Sequence, residues 1–436
     1  MTTMQSMQQE RCKRLEYFLS SIAEVLGNKR RNQQLRGYVT GLLLPGERKS
    51  VEPMAAKIEP GNVRQRHQSL HHFVADSPWE DQAVLGVCAE QVLLAMQHSL
   101  SAWLVDDTGM LKKGEHSVGV ARQYCGRIGK QDNCQVAVSL SLCNDNASIP
   151  VAYRLYLNQE WASDKKRRKA AKVPTDISFQ KKWQIALEQI RDAKKSGYPT
   201  APVVADAGYG STTEFREGLD ALGLRYAVGV IKTTTVWTTN NRAPKPPLPQ
   251  KTMGRPRKLL VRDGANQPSS VAEVAKALAK KSYKSVTWRE GAKGVMRSRF
   301  ACVRVRAAHH DFKRTEPRDE QWLLIEWPKH EAEPIKYWLT TMPANIKLKD
   351  HVALCMSRWR IERDYQELKS ELGLAHFEGR SWRGFHHHAS LCIAAYAFLV
   401  CERQLFSPLS YKSRAHLIEV PAVPESFTPR GAASAP

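Results

Sequence analysis

The stretch Cys355–Lys369, CMSRWRIERDYQELK, decides how the rest of this sequence is interpreted. Apolar residues recur through it at helical spacing, which predicts the buried face of a long helix. These residues are Leu354, Ile361, Tyr365, Leu368 and Leu372. Arg358, Glu362 and Lys369 are four and then seven residues apart, so they share a second face. A carboxylate between two cations suits an anionic substrate held by metal, although the spacing alone favours an ordinary amphipathic helix with solvent-exposed ion pairs.

Two other stretches favour the metal-dependent site over the ordinary amphipathic helix, because each is a short apolar run that ends in a carboxylate. Ser101–Gly109 reads SAWLVDDTG, and Pro202–Gly210 reads PVVADAGYG. An Asp at the end of a buried strand is exposed at a sheet edge, where ligands bind. Two such Asp residues and a distant helical Glu can hold a pair of divalent metal ions, because hard cations such as Mg²⁺ prefer carboxylate oxygens. Two ions roughly 4 Å apart clamp the attacking and leaving oxygens of a phosphodiester.

Together these stretches resemble the core of bacterial insertion-sequence transposases of the Asp-Asp-Glu (DDE) type, which have an RNase H-like fold. In the similar branch the Glu region reads Tyr-x2-Arg-x3-Glu-x6-Lys, and Arg358, Glu362 and Lys369 stand at that spacing. Cys355 stands in place of the Tyr, so the resemblance does not carry over the phosphate contact of that Tyr, whereas it does carry over the metal site. The resemblance extends from about Arg66 to Arg430 and includes the segments SVGVARQYCGRIGKQDNCQ and RSWRGFHHHASLCIAAYAFL.

The resemblance implies a DNA transposase that cleaves transposon ends and transfers the strand into target DNA by a cut-and-paste route. Asp107, Asp206 and Glu362 would be the catalytic metal ligands for two Mg²⁺ ions, for which Mn²⁺ is a possible substitute. Adjacent residues of a strand point to opposite faces, so only one of Asp106 and Asp107 can enter the cluster. The family pattern places the ligand directly before a Thr, which selects Asp107 and leaves Asp106 as a second-shell or solvent-facing group.

Composition is consistent with a nucleic-acid partner. The chain has 436 residues and a formal net charge of +23, and a chain this basic is expected to associate with a polyanion. Nine cysteines without a Cys-x-x-Cys pair argue for reduced thiols in a cytoplasm, and against a zinc site or a disulfide framework. The sequence shows neither an apolar run approaching the ~18 residues of a membrane span nor a signal-peptide core. We therefore expect a cytoplasmic, nucleoid-associated protein that does not enter a membrane.

The predicted fold class is α/β: an RNase H-like mixed sheet, interrupted by a β-rich insertion and preceded by a helical domain. The strand–strand–strand–helix–strand–helix–strand order predicted for the core matches that fold. The expected divisions are a helical domain at 1–98, the first part of the catalytic core at 99–232, the β-rich insertion with a basic linker at 233–345, the second part of the core with the Glu helix at 346–406, and an irregular tail at 407–436. We expect the helical domain to bind the transposon ends, because Arg and Lys recur along it; the alternative is a cap that only packs on the core.

Several basic residues are candidates for DNA contact. Arg358 and Lys369 would hold phosphates near the scissile bond, and Lys130 lies in a basic segment near the site. Arg255 and Arg257 occur in the run GRPRK, which resembles the core of a minor-groove arm but is also typical of a basic linker. The family implies a homodimer on double-stranded DNA, because two terminal inverted repeats must be brought together.

Three consecutive histidines, His386–His388, invite a metal-site interpretation. Neighbouring residues of a helix point in different directions, so a helix-start or DNA-facing role is favoured instead. Two other functions stay open for the whole chain: an RNase H-like DNA nuclease that cuts without joining, and a catalytically silent DNA-binding regulator derived from a transposase. The regulator would have a broken acidic triad, whereas this sequence has all three acids.

Overall fold

The computed structural model describes residues 3–126, 128–239, 258–262, 267–291 and 294–406. Arg255, Arg257 and the predicted tail at 407–436 lie outside these ranges.

The described elements alternate between helices and strands after a purely helical start. The helices are α1 Thr3–Glu24, α2 Arg30–Leu43, α3 Val51–Ile58, α4 Val63–Ala75, α5 Asp81–Ala95, α6 Gln159–Ser163, α7 Lys165–Ala170, α8 Lys182–Lys195, α9 Ala207–Gly210, α10 Thr213–Ala221, α11 Val271–Ala277, α12 Leu348–Met356, α13 Trp359–Ser370 and α14 Trp382–Phe406. The strands are β1 Ala102–Leu111, β2 Ala121–Cys125, β3 Lys130–Cys143, β4 Ser148–Leu155, β5 Val203–Ala205, β6 Tyr226–Val230, β7 Thr235–Thr238, β8 Ser269–Ser270, β9 Lys284–Gly291, β10 Gly294–Ala307, β11 Gln321–Glu326 and β12 Lys336–Thr340.

Five strands form the centre of the sheet in the order β4–β3–β1–β5–β6. β3 is antiparallel to both β1 and β4, whereas β1, β5 and β6 run parallel. Parallel strands require a crossover, which α8 provides between β4 and β5 and α10 provides between β5 and β6. This arrangement confirms the predicted α/β fold with an RNase H-like mixed sheet.

The insertion is β-rich and continues the same sheet. β12 pairs antiparallel with β6, so that Trp338 lies opposite Gly229, and β11, β10, β7 and β8 follow in order. Residues of these strands and of α11 enclose a second apolar cluster, whose members include Val271, Leu323 and Ile325. The edge strand of the catalytic core is therefore covered by the insertion, which fixes the position of the insertion relative to β6.

The N-terminal helices share one apolar core with the catalytic sheet. Buried residues such as Ile22, Leu35 and Val84 belong to the same cluster as Trp103 of β1. Helix α14 links the two parts, because it packs against α5, α2 and α4 and also against β4. The helical region is thus joined to the core by apolar packing over most of its length.

The predicted long helix across Cys355–Lys369 is interrupted. Helix α12 ends at Met356 and α13 begins at Trp359, with Arg358 at its N-cap. The hydroxyl of Ser357 donates to the carbonyl of Leu354 (2.7 Å), so a side chain competes with the backbone at the interruption. Arg358 consequently precedes the first turn of α13 instead of lying within a continuous helix.

The helix-start or DNA-facing role predicted for His386–His388 is wrong, because all three lie in the buried part of α14. His388 Nε2 donates to the carbonyl of Gly373 (3.0 Å), and Nδ1 accepts from the hydroxyl of Tyr38 (2.9 Å). Burial lowers the pKa of His387 and of His388 to about 4. The apolar run that follows the histidines, from Ala389 to Cys401, was the available signal, because a helix that is apolar nearly all round is buried.

Helix α14 also corrects the expectation about membrane-length segments. Trp382–Phe406 is long and apolar enough to cross a bilayer by length and composition. In the fold, 67% of the 18-residue segment with the highest mean hydropathy in this helix is buried inside the protein, as in the core helix of a globular protein. The sequence interpretation missed this because basic and polar residues at the start of the helix interrupt the apolar run.

Asp364 fixes the position of α13 on the sheet. Its buried carboxyl accepts hydrogen bonds from Ser148 of β4 and from the hydroxyl of Tyr396 of α14 (2.7 Å). Burial raises the pKa of Asp364 to about 7, although the two hydroxyl donors oppose that shift. One turn of α13 is thereby tied to two elements that are distant in sequence.

We expect Asp364→Ala to lower the free energy of unfolding by about 2–4 kcal/mol, because two buried hydroxyls lose their partner. Asp364→Asn keeps a hydrogen-bonding group and is the control. The folded-state pKa lies above the ordinary value of 3.8, so the protonated carboxyl of Asp364 contributes stability that is fully present below that value and is lost as the pH rises through about 7. Denaturant unfolding between pH 5 and 8 should show a weaker decline for Asp364→Asn than for the wild type, and equal slopes would contradict this.

Candidate active site

The parallel pairing of β1 with β5 brings two carboxylates to the same level of the sheet. Val105 of β1 pairs with Ala205, the last residue of β5; Asp106 follows Val105 in β1, and Asp206 follows directly after β5 in an extended conformation. Residues in register on parallel strands point to the same face. Asp106 and Asp206 therefore lie on one face at the end of the central strands.

Asp107 points to the other face of β1. Its carboxylate forms an ion pair with Lys182, the first residue of α8. Helix α8 also packs on β3, where Gln189 donates to the backbone carbonyl of Val138, the partner of Asp107 in the sheet. Asp107 thus belongs to the α8 side of the sheet.

Glu362 approaches from α13 on the face occupied by Asp106. The hydroxyl of Tyr365 donates to Ser139, which is the partner of Asp106 across β1 and β3. Glu362 lies in the first turn of α13 and its side chain is 63% exposed. The helix is therefore seated directly over Asp106, with Glu362 at its open end.

Arg358 joins the two carboxylates. One terminal nitrogen, Nη1, donates to Asp106 Oδ2 (2.6 Å), and the other, Nη2, donates to Glu362 Oε1 (3.0 Å). Burial opposes the charge of Arg358, but Asp106, Asp206 and Glu362 together raise its pKa above the ordinary value. The three acidic residues therefore share one guanidinium as their neighbouring cation.

The pKa of Asp106 shows the effect of burial and of two neighbouring carboxylates. Burial raises its pKa to about 7, the negative charges of Asp206 and Asp107 add to the increase, and Arg358 opposes it. A carboxyl with these neighbours is stabilised by any further cation that reaches it. Perturbed carboxyls of this kind cluster at functional sites.

The geometry groups Asp106, and not the predicted Asp107, with Asp206 and Glu362. The physical reason is the alternation of side chains along β1, which allows only one of two adjacent residues to face α13. Strand β1 is buried on both faces, so its sequence lacks the apolar–polar alternation that would have shown which of the two carboxylates faces α13. The choice of Asp107 followed the position before Thr108, which carries no information about orientation.

Asp206 is held by the start of α9. It is the N-cap of that short helix, and its Oδ1 accepts from the backbone N–H of Gly208 (2.9 Å). The hydroxyl of Tyr209 is buried and has no hydrogen-bond partner among the described residues. Burial raises the pKa of Tyr209, and Asp107, Asp106 and Asp206 raise it further. The sequence analysis missed this phenol, which lies among the carboxylates.

The predicted DNA contacts differ in position. The Nζ of Lys369 donates to the carbonyl of Gly109 (2.8 Å), so this residue lies beside β1 near the site. Lys130 is exposed at the start of β3. Cys355, which replaces the family Tyr, is only 3% exposed, and burial raises the pKa of its thiol. Arg255 and Arg257 lie outside the described residues.

A cleft of about 550 Å³ separates the acidic site from the insertion. Asp206, Arg358 and Glu362 line the cleft, and the insertion contributes the carboxyl of Glu326 together with several basic and aromatic residues. The latter are Trp288, Arg289, Lys336, Tyr337 and Trp338. Arg289 of β9 also stacks over the ring of Trp359, with its guanidinium carbon 3.8 Å from the ring centroid. The sequence analysis missed Arg289, because its partner is distant in the chain.

The donor chemistry of the site fits a hard divalent cation, because Asp106, Asp206 and Glu362 supply carboxylate oxygens. Among the described residues, however, no three His, Cys, Asp or Glu side chains are close enough to hold one metal ion as they stand. Arg358 explains this spacing, because its guanidinium lies between Asp106 and Glu362. The carboxylates are assembled around a cation that the protein itself supplies.

An RNase H-like sheet with Asp, Asp and Glu side chains on one face defines a class of metal-dependent phosphodiester nucleases. The chain belongs to the DDE superfamily of endonucleases, whose family model matches residues 22–295. The match includes Asp106, Asp107 and Asp206 and ends before Glu362, whose place in the site comes from the structure.

A similar protein supports a narrower comparison. It is described as a probable transposase for insertion sequence element IS701, from Microchaete diplosiphon, and is 32% identical over 164 residues. The matched segment covers 37% of this chain and 40% of that relative's length. The similarity therefore concerns less than half of either protein.

A prediction follows for Gly229 of β6, which lies against the backbone of Asp206. A Cβ at this position would be 2.9 Å from the backbone nitrogen of Ala207 and 3.1 Å from the carbonyl carbon of Asp206. We expect Gly229→Ala to displace Asp206 and to lower the free energy of unfolding by about 1–3 kcal/mol. Denaturant titration measures this change.

Gly86→Ala is the matched control. Gly86 lies inside α5, and a Cβ there would meet no atom within 4 Å. Alanine should stabilise that helix by about 0.4–1 kcal/mol. Equal effects of the two substitutions would show that the close approach at Gly229 does not constrain Asp206.

Proposed function

We propose that this protein is a DNA transposase that cleaves the ends of an insertion sequence and joins them to target DNA by a cut-and-paste route. The observation that carries the proposal is the placement of Asp106, Asp206 and Glu362 on one face of an RNase H-like sheet, around the guanidinium of Arg358. The family membership supports phosphodiester cleavage, and the IS701 relative supports a transposon end as the substrate.

Asp106, Asp206 and Glu362 are the residues that would hold the metal, with two Mg²⁺ ions as the proposed cofactor and Mn²⁺ as a possible substitute. When bound to such carboxylates, divalent ions lower the pKa of a water nucleophile and stabilise the charge of a leaving oxygen. Asp107 has a supporting role in this proposal. Its ion pair with Lys182 fixes α8 against the end of β1, directly behind Asp106.

The chain's own cations would bind the DNA backbone. Lys369 lies beside Gly109 of β1, about two turns beyond Glu362 on α13, and is proposed to contact a phosphate near the scissile bond together with Arg358. Lys130 is proposed as a more distant phosphate contact, and Arg255 and Arg257 as groove contacts. A net charge of +23 supports double-stranded DNA as the partner, both for terminal inverted repeats and for target DNA.

The assembly and location are also proposals. Cleavage at two ends requires that both be held together, so we propose a homodimer on DNA. All nine cysteines are free thiols in the structure, which agrees with a reducing cytoplasm where the nucleoid supplies the substrate.

Two alternatives predict different products. An RNase H-like DNA nuclease would cut without joining, and a transposase-derived regulator would bind without cutting. The regulator is the weaker alternative, because the structure brings an Asp, an Asp and a Glu to one face of the sheet.

The decisive experiment is cleavage of a supercoiled plasmid that carries the element's own ends, in Mg²⁺ and in EDTA. Asp106→Asn and Glu362→Gln should lower the cleavage rate at least 1,000-fold, as expected when an essential charge of a metal site is lost. Asp107→Asn changes the adjacent carboxylate on the opposite face, and we expect it to retain measurable metal-dependent cleavage.

The outcomes separate the assignments. Loss of cleavage in Asp107→Asn with retained cleavage in Asp106→Asn would show that the proposed set contains the wrong aspartate. Binding without cleavage by the folded wild type would favour the regulator. Linear products without recombined plasmid, when target DNA is supplied, would favour the nuclease over the transposase.

A further inference from the structure

We infer that Arg358 is a built-in counter-ion whose release from Asp106 and Glu362 couples metal binding to phosphate binding. Without metal it holds these carboxylates together; with metal it leaves them and contacts the DNA backbone in the cleft. The inference rests on the proposed metal site and assigns Arg358 as a positioning residue with two alternative partners.

The guanidinium of Arg358 is hydrogen-bonded to two of the acidic residues. Both terminal nitrogens donate to carboxylates, at 2.6 Å to Asp106 and at 3.0 Å to Glu362. The arginine side chain is 29% exposed, and that of Asp106 is 11% exposed. Departure of Arg358 would leave the largely buried carboxylate of Asp106 without a counter-ion, which is costly, so Arg358 does not leave Asp106 without a replacement cation.

The charge balance explains why that replacement matters for DNA. Asp106, Asp206 and Glu362 carry up to three negative charges around one guanidinium, so the region is acidic and repels a phosphate. A divalent ion on the same carboxylates removes this excess and makes the guanidinium redundant as their partner. Arg358 also lines the cleft between the site and the insertion, where a backbone phosphate would enter.

The location of Arg358 permits the exchange. It is the N-cap of α13, directly after the Ser357 interruption, and not an interior residue of a continuous helix. Its side chain can therefore change rotamer without a change in the helix that carries Glu362. Asp364 and Tyr365 hold that helix on the sheet independently, through Ser148 and Ser139 respectively.

Linkage then makes the coupling reciprocal. If metal binding frees Arg358 for phosphate, DNA binding must raise metal affinity by the same factor. The metal-free protein is thereby protected from binding DNA in an arrangement that cannot react. This effect is additional to any phosphate contact that a metal ion makes directly.

Mn²⁺ binding to the full chain tests the first half of the inference, with free Mn²⁺ measured by electron paramagnetic resonance in the absence of DNA. Arg358→Gln removes the competing cation, so it should bind Mn²⁺ several-fold more tightly than the wild type. Its metal-free form should melt at a lower temperature and gain more from added Mn²⁺, because the carboxylates then lack a counter-ion. Arg358→Lys, which has one terminal nitrogen, should be intermediate.

Arg289→Gln is the matched control, because Arg289 lines the same cleft but stacks on Trp359 and, within the described part of the chain, forms no ion pair with the acidic residues. It should leave Mn²⁺ affinity near the wild-type value. Unchanged or weaker Mn²⁺ binding in a folded Arg358→Gln protein would overturn the inference, and so would an equal gain in Arg289→Gln, which would indicate a general charge effect. Failure of the wild type itself to bind Mn²⁺ would instead defeat the proposed metal site.

The second half is tested by fluorescence anisotropy of a short labelled DNA duplex, with Ca²⁺ as a divalent probe and with EDTA. Ca²⁺ should strengthen wild-type binding several-fold, and the gain should be clearly smaller for Arg358→Gln. An equal gain in both proteins would show that metal and phosphate are not coupled through this arginine, even if Mn²⁺ binding and plasmid cleavage behave as proposed.

Discussion

The parallel pairing of β1 with β5 is the constraint on which the site depends. It sets Asp106 and Asp206 at the same level of the sheet, and the alternation of side chains along β1 then sends Asp107 to the opposite face. Two adjacent carboxylates consequently have different environments: one is buried beside an arginine and two acids, and the other pairs with a lysine of α8. The two carboxylates are chemically identical, so the difference between their environments comes only from the alternation of side chains along the strand.

Helix α13 completes the site because hydrogen bonds hold its middle on the sheet, whereas its first turn is exposed to solvent. Asp364 and Tyr365 bind the sheet and α14, whereas Glu362 remains exposed toward the cleft. Arg358 lies at the N-cap of α13, where its guanidinium reaches both Asp106 and, four residues further on, Glu362. One short segment of the chain thus contains both the residues that hold α13 on the sheet, Asp364 and Tyr365, and the arginine that contacts the carboxylates, Arg358.

The insertion contributes a wall to the site because its strands extend the catalytic sheet. Pairing of β12 with β6 places the aromatic and basic side chains of the insertion across the cleft from Glu362. The stack of Arg289 on Trp359 then connects β9 to the first residue of α13. The substrate cleft is therefore formed by two segments that the linear sequence separates.

The sequence by itself determined the α/β class, the order of the core strands, the β-rich character of the insertion and the acidic residues at the strand ends. These follow from apolar runs, helical spacing and motif spacing, which are local properties of the chain. Only the tertiary structure decided that Asp106 faces Glu362, that Arg358 lies between them, and that His386–His388 are buried. Those features depend on strand pairing and on packing between distant segments: β1 is apolar on both faces, so its sequence could not tell which of two adjacent carboxylates faces the helix.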